Sequence, residues 1–102
     1  MSLDDHAIQE KLRSRFCERL SRDLPLLQTY QQQTRLIQDD ENKQALIRIA
    51  HSLAGAGGTF GFPDISSAAM ALETGLRQDH TPQDIDQTLD HLIQVATSTL
   101  AA

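Results

Sequence analysis

The chain has 102 residues, of which 39% are hydrophobic and 23% charged, and it carries a formal net charge of −5 at pH 7. That length bounds it to a single domain, residues 1–102, with chain enough for one core and little margin in its packing. The acidic balance, with three Phe, one Tyr and no Trp, argues against a nucleic-acid binder, which would carry a basic footprint or stacking aromatics. No apolar run reaches about 18 residues, so no transmembrane span is expected. The N-terminus, MSLDDHAIQEK, has no basic region followed by an apolar stretch, and no signal peptide is expected. The single cysteine, Cys17, excludes an internal disulfide and suits a reducing cytoplasm, the expected location.

Four helices are predicted, and no strand pattern. The first spans about Asp5 to Leu36, with Ile8, Leu12, Phe16, Leu20, Leu24, Leu27 and Tyr30 forming its apolar stripe. Lys11, Arg13, Arg15, Arg19 and Arg22 crowd this helix and read as a solvated face. Pro25 removes a hydrogen bond and clashes with the preceding turn, so a kink or break is predicted between Arg22 and Leu26. The second helix starts at Asp39 or Asp40, either of which can cap it, and runs towards Thr59. The third begins at Pro63, where proline suits the first turn and Asp64 adds favourable negative charge. Its stripe is Ile65, Ala68, Ala69, Leu72 and Leu76. The fourth begins at TPQD, with Thr81 as N-cap, Pro82 as first helical residue and Asp84 completing a near capping box. Ile85, Leu89, Leu92, Val95, Ala96 and Leu100 follow at helical spacing. The C-terminal part is acidic, through Asp64, Glu73, Asp79, Asp84, Asp86 and Asp90. Short connections make neighbouring helices antiparallel. The predicted fold is therefore all-α, an up-down antiparallel four-helix bundle.

The stretch IAHSLAGAGGTFGF, Ile49 to Phe62, holds four of the five glycines. Each glycine in a helix interior costs roughly 1 kcal/mol relative to alanine. At about 100° per residue, with Leu46 at zero, Ile49, Ala50, Leu53, Gly57 and Phe60 fall within roughly 60° and form the predicted core stripe. His51 falls roughly 140° away, Gly55 roughly 180° and Gly58 roughly 120°, so His51 is predicted to be exposed beside Gln44 and Arg48. A helical side chain is normally hemmed by its neighbours at i+3 and i+4. Here those are only Ala54 and Gly55, which leaves open space for a group bonded to the imidazole. Neutral imidazole is a nucleophile, and the ordinary histidine pKa of about 6.5 keeps it available near neutral pH. Gly57 and Gly61 are expected to permit a close helix approach or to end the helix. His6, His80 and His91 read as ordinary surface histidines.

The run His51, Ser52, Leu53, Ala54, Gly55, Ala56, Gly57 and Gly61 resembles the histidine-containing phosphotransfer (HPt) domain family. The specific match covers about Ala45 to Glu73, ending in SSAAMALE. The resemblance implies a four-helix bundle in a two-component phosphorelay. His51 is then the phosphoacceptor, its Nε2 attacking the aspartyl phosphate of a receiver domain or taking phosphate from a kinase. It implies a phosphocarrier without its own ATP site, hence not an enzyme in the ordinary sense. No cofactor or bound metal is expected here; the receiver brings the Mg²⁺. The expected phosphate environment is Gly55, Arg48, Gly58 and Ser52. The expected docking face adds Gln44, with Ile47 and Ala54 flanking it as apolar contacts. The partners implied are a response-regulator receiver and a hybrid histidine kinase, met by a monomer.

The chain departs from the family where a lysine often stands, at Ala54. Arg48, one turn before His51, is the expected substitute cation. Glu73 falls where some members carry a glutamine near the phosphate, and it is expected to face water.

The alternative is an HPt-like adaptor that binds receivers without carrying phosphate. A bundle metal enzyme lacks support, because no histidine has an acidic residue three positions before it. GAGGTFG fails as a nucleotide loop, since no lysine follows its last glycine.

Overall fold

The computed structural model describes residues 2–102, with side chains described from Asp5 onward. Four helices follow one another: α1 (Ser2–Gln32), α2 (Asp40–Thr59), α3 (Pro63–Arg77) and α4 (Pro82–Ala101), with a short 3-10 segment, Thr34–Gln38, between the first two. The starts follow local chemistry. Asp39 caps α2, its side chain accepting from the Asn42 N–H at 3.2 Å, and Thr81 caps α4 by accepting from the Asp84 N–H at 3.2 Å. Pro63 and Pro82 open α3 and α4, where a missing N–H costs nothing.

Helix α1 differs from expectation at two points. Of the kink or break predicted near Pro25, a break does not occur, and helix runs on through it to Gln32. Pro25 is exposed, so water can serve the carbonyl its missing N–H leaves unbonded. Leu20 and Leu27, both fully buried, anchor the helix on either side of it. The helix then ends at Gln32 rather than Leu36, and the chain tightens into the 3-10 segment through bonds such as Leu36 N–H to the Gln33 carbonyl, 3.0 Å.

The core is wholly apolar. Phe16, Leu20 and Leu27 of α1 meet Leu46, Ala50 and Leu53 of α2, Ile65, Ala69, Leu72 and Leu76 of α3, and Leu89, Leu92 and Ala96 of α4. Packing runs round the bundle, α2 on α3, α3 on α4 and α4 on α1, with α1 on α2 the lightest of these contacts. Phe16 stacks on Phe62 at 5.0 Å and seats α1 on the corner between α2 and α3. The molecule measures 50 × 23 × 20 Å. The long axis matches the length of α1, about 46 Å at 1.5 Å per residue. No described helix is long and apolar enough to cross a membrane.

The α2–α3 corner is built by two glycines with different tasks. Gly61 has φ +86°, the left-handed conformation that closes a helix, and the Phe62 N–H reaches back to the Gly57 carbonyl at 2.7 Å. Gly57 permits contact: a Cβ there would lie 3.1 Å from the Ser66 nitrogen and 3.2 Å from the Phe62 oxygen. The Ser66 hydroxyl donates across the same seam to the Ala54 carbonyl at 2.7 Å.

Candidate functional site

The close approach of α3 sets the orientation of α2. The buried arc comprises Leu46, Ile47, Ala50, Leu53, Ala54 and Gly57. Its centre lies roughly 40° from Leu46, turned towards α3. This corrects the expectation for Ile47 and Ala54. Both belong to the core, at 3% and 8% exposure, and neither flanks an outer face. The sequence pattern centred the stripe on Leu46 because it could not register a second helix pressed against one side. Gly58 is exposed and borders α3, where an added Cβ would meet the Ser66 hydroxyl at 3.4 Å.

His51 is exposed as predicted, with 72% of its side chain accessible, and Gln44, Arg48 and Ser52 are exposed with it. At Gly55 an added Cβ would meet nothing within 4 Å. The imidazole therefore stands over open helix surface. The reoriented arc also brings His51 to the edge of the α2–α3 seam, within reach of a partner.

That partner is Glu73. Its Oε2 lies 2.9 Å from His51 Nδ1 and also accepts from Arg77 Nε at 2.8 Å. The Glu73 side chain is only 14% exposed and its carboxylate is bonded to His51 and Arg77, which overturns the expectation that it faces water. Partial burial pushes the Glu73 carboxyl up, but the hydrogen bonds and charges of Arg77 and His51 outweigh it and hold it below its ordinary value. Glu73 is thus ionised at neutral pH and acts as acceptor. His51 then carries its proton on Nδ1 and donates it, which leaves the Nε2 lone pair free and turned outward. A ring held through one nitrogen in this way is oriented, with the other nitrogen presented to solvent.

The α1 side of His51 is built differently. Arg19 Nη2 donates to the Ser52 hydroxyl oxygen at 2.6 Å, and Arg19 Nε pairs with Asp23 at 3.3 Å. Below them a groove of about 290 Å³ is lined by Leu12, Arg15, Phe16, Arg19, Ala56 and Phe60. Arg48 is exposed, and its charge acts on the Tyr30 phenol, whose hydroxyl donates to the Asn42 carbonyl near the start of α2. Burial raises the Tyr30 pKa and Arg48 partly offsets it.

Three residues of this neighbourhood carried no role in the sequence. Arg77 stands four residues after Glu73, and Asp23 four after Arg19, spacings at which charges meet on one helix face. Those i,i+4 pairs were a usable signal. Met70, 55% exposed on α3, sits one turn before Glu73 and one turn after Ser66, along the edge that faces α2. No group of three His, Cys, Asp or Glu side chains able to hold a metal ion occurs among the described residues.

Comparison with known proteins agrees with this geometry. The family model for the Hpt domain matches residues 11–98. No curated protein and no solved structure matches the chain. The family match takes in all of α2 and α3 and most of α1 and α4, the elements that present the exposed, singly tethered histidine, and on that basis the chain belongs to the Hpt domain family.

Proposed function

We propose that this protein is a phosphocarrier of a phosphorelay, which accepts a phosphoryl group on His51 Nε2 from a receiver aspartate or a kinase and passes it on. The observation that carries this reading is the His51–Glu73 bond of 2.9 Å on a side chain 72% exposed. The bond holds the ring and spends its proton, while the other nitrogen stays open to a partner.

In transfer from a receiver, the Nε2 lone pair attacks phosphorus in line with the acyl phosphate oxygen. The N–P bond forms, the P–O bond breaks, and the aspartate leaves as a carboxylate. The imidazole becomes cationic, and the Glu73 carboxylate beside Nδ1–H stabilises that charge. Return of the phosphoryl group reverses each step. Such transfer depends on positioning and charge stabilisation. The receiver supplies the Mg²⁺ in this scheme, and this chain supplies an oriented nucleophile.

Docking uses the exposed surface around His51, with Gln44, Ser52 and Gly55 on α2. Met70 provides the apolar contact that buried Ile47 and Ala54 do not. Incubating the protein with a panel of phosphorylated receivers tests the reading. Label is expected to appear on the wild type and to be absent from His51→Gln. Binding to a receiver with no label on the wild type would instead make this chain an adaptor.

A further inference from the structure

We propose that Arg19 of α1 is the cation that grips the phosphoryl group carried by His51, acting together with the Ser52 hydroxyl. The proposal rests on the phosphocarrier reading and deepens it.

Gly55 stands four residues after His51 and three after Ser52, so on the helix surface it neighbours both. Its surface is open, with nothing within 4 Å of an added Cβ. The space over Gly55 is therefore a shallow floor with His51 on one side and Ser52 on the other. A group bonded to Nε2 occupies that floor. A phosphoryl group brings negative charge and three acceptor oxygens. Such a group is best held by a guanidinium fork, with short charge-assisted hydrogen bonds.

Arg19 is placed to supply one. Its Nη2 already reaches the Ser52 side of the floor at 2.6 Å. Asp23 holds its Nε and so aims the fork across α2. The side chain is 33% exposed, packed enough to be positioned and open enough to follow a ligand. Ser52 Oγ accepts from Arg19, which leaves its own O–H to donate to a phosphoryl oxygen. Among the described residues, Arg19 is the arginine hydrogen-bonded to Ser52, next to the floor. Arg77 is bonded to Glu73, Arg48 is exposed with no side-chain hydrogen bond or ion pair among the described residues, and Ala54 is buried and uncharged.

The test needs no partner protein. Phosphoramidate transfers its phosphoryl group to imidazole, breaking its P–N bond with loss of ammonia, and ³¹P NMR follows both the rate of labelling and the titration of the product. Arg19→Gln keeps the stem and a hydrogen-bond donor while removing the charge. It is expected to label His51 about 3- to 10-fold more slowly, the scale of a partly exposed charge pair, and to raise the pH midpoint of the phosphoryl titration. Arg19→Lys should fall between. Lys11→Ala removes the same charge two turns away and should match the wild type.

Wild-type rate and midpoint in Arg19→Gln would overturn the role of Arg19 and leave the phosphocarrier reading standing. Failure of phosphoramidate to label wild-type His51 would overturn it as well, since there would be no group to grip. If Arg19→Gln behaves as expected but no receiver exchanges phosphate with the protein, the relay reading fails and the anion site stands.

Discussion

The two seams of α2 differ in kind. On the α3 side the backbones meet at Gly57, Ser66 ties the helices through the Ala54 carbonyl, and Glu73 holds the histidine ring. On the α1 side the contact is light, a groove of about 290 Å³ remains, and a single arginine bridges to Ser52. The tight seam holds the Glu73 side chain, 14% exposed, between His51 and Arg77, and so fixes the acceptor that orients the ring. The loose seam leaves Arg19, 33% exposed, in contact with the His51 side of α2 through Ser52. On the proposed reading, one side aims the nucleophile and the other grips what it carries.

The sharpest way to break this comparison is to place a methyl group on each side. Gly57→Ala pushes a Cβ against backbone atoms at 3.1 and 3.2 Å that have no freedom to yield. It is expected to cost about 1–3 kcal/mol of stability in urea denaturation, as overpacking does. Gly55→Ala has open space. It is expected to hold stability or raise it by up to about 1 kcal/mol through helix propensity. Equal losses at both positions would erase the distinction between the seams.

Glu73→Gln tests what the tight seam does for the ring. Loss of the charged acceptor is expected to slow phosphotransfer to His51 about tenfold, the scale of one hydrogen bond to a charged group. It also changes the acid response. The folded Glu73 carboxyl titrates below its ordinary value. In the unfolded chain it returns to about 4.3. The unfolded state therefore binds the proton first as pH falls, so the stability from Glu73 is present above that value and is lost as pH drops through the lower, folded one. Urea melts from pH 7 to pH 3 should show the wild type losing more stability than Glu73→Gln.

Smaller effects are expected where only access or docking changes. The methyl of Gly55→Ala should slow transfer from a receiver severalfold by crowding the floor beside the ring, even where stability rises. Met70→Ser should weaken receiver binding about threefold, as for one exposed apolar contact, with labelling by phosphoramidate unchanged. A Met70→Ser protein that binds receivers like the wild type would remove α3 from the docking face.

Much of this was legible in the chain. Asp39, Pro63, Thr81 and Pro82 announce three helix starts because capping and proline placement are decided within a few residues. The exposure of His51 followed from the period of the apolar residues, and Gly61 signalled a helix end. Pro25 left open whether the helix would bend or end there, and it did not end, because an exposed proline can ride through a helix that Leu20 and Leu27 anchor from the core.

The sequence by itself determined an all-helical bundle and the one histidine set beside a glycine on an outer surface. Both depend on periodicity and on bonds between near neighbours. Only the tertiary structure decided what stands around that histidine. The approach of α3 at Gly57 turned the buried arc of α2, took Ile47 and Ala54 into the core, and brought Glu73 to Nδ1 from 22 residues away. The lie of α1 brought Arg19 to Ser52 from 33 residues away. Contacts of that separation depend on how whole helices pack, and no local pattern of side chains encodes them.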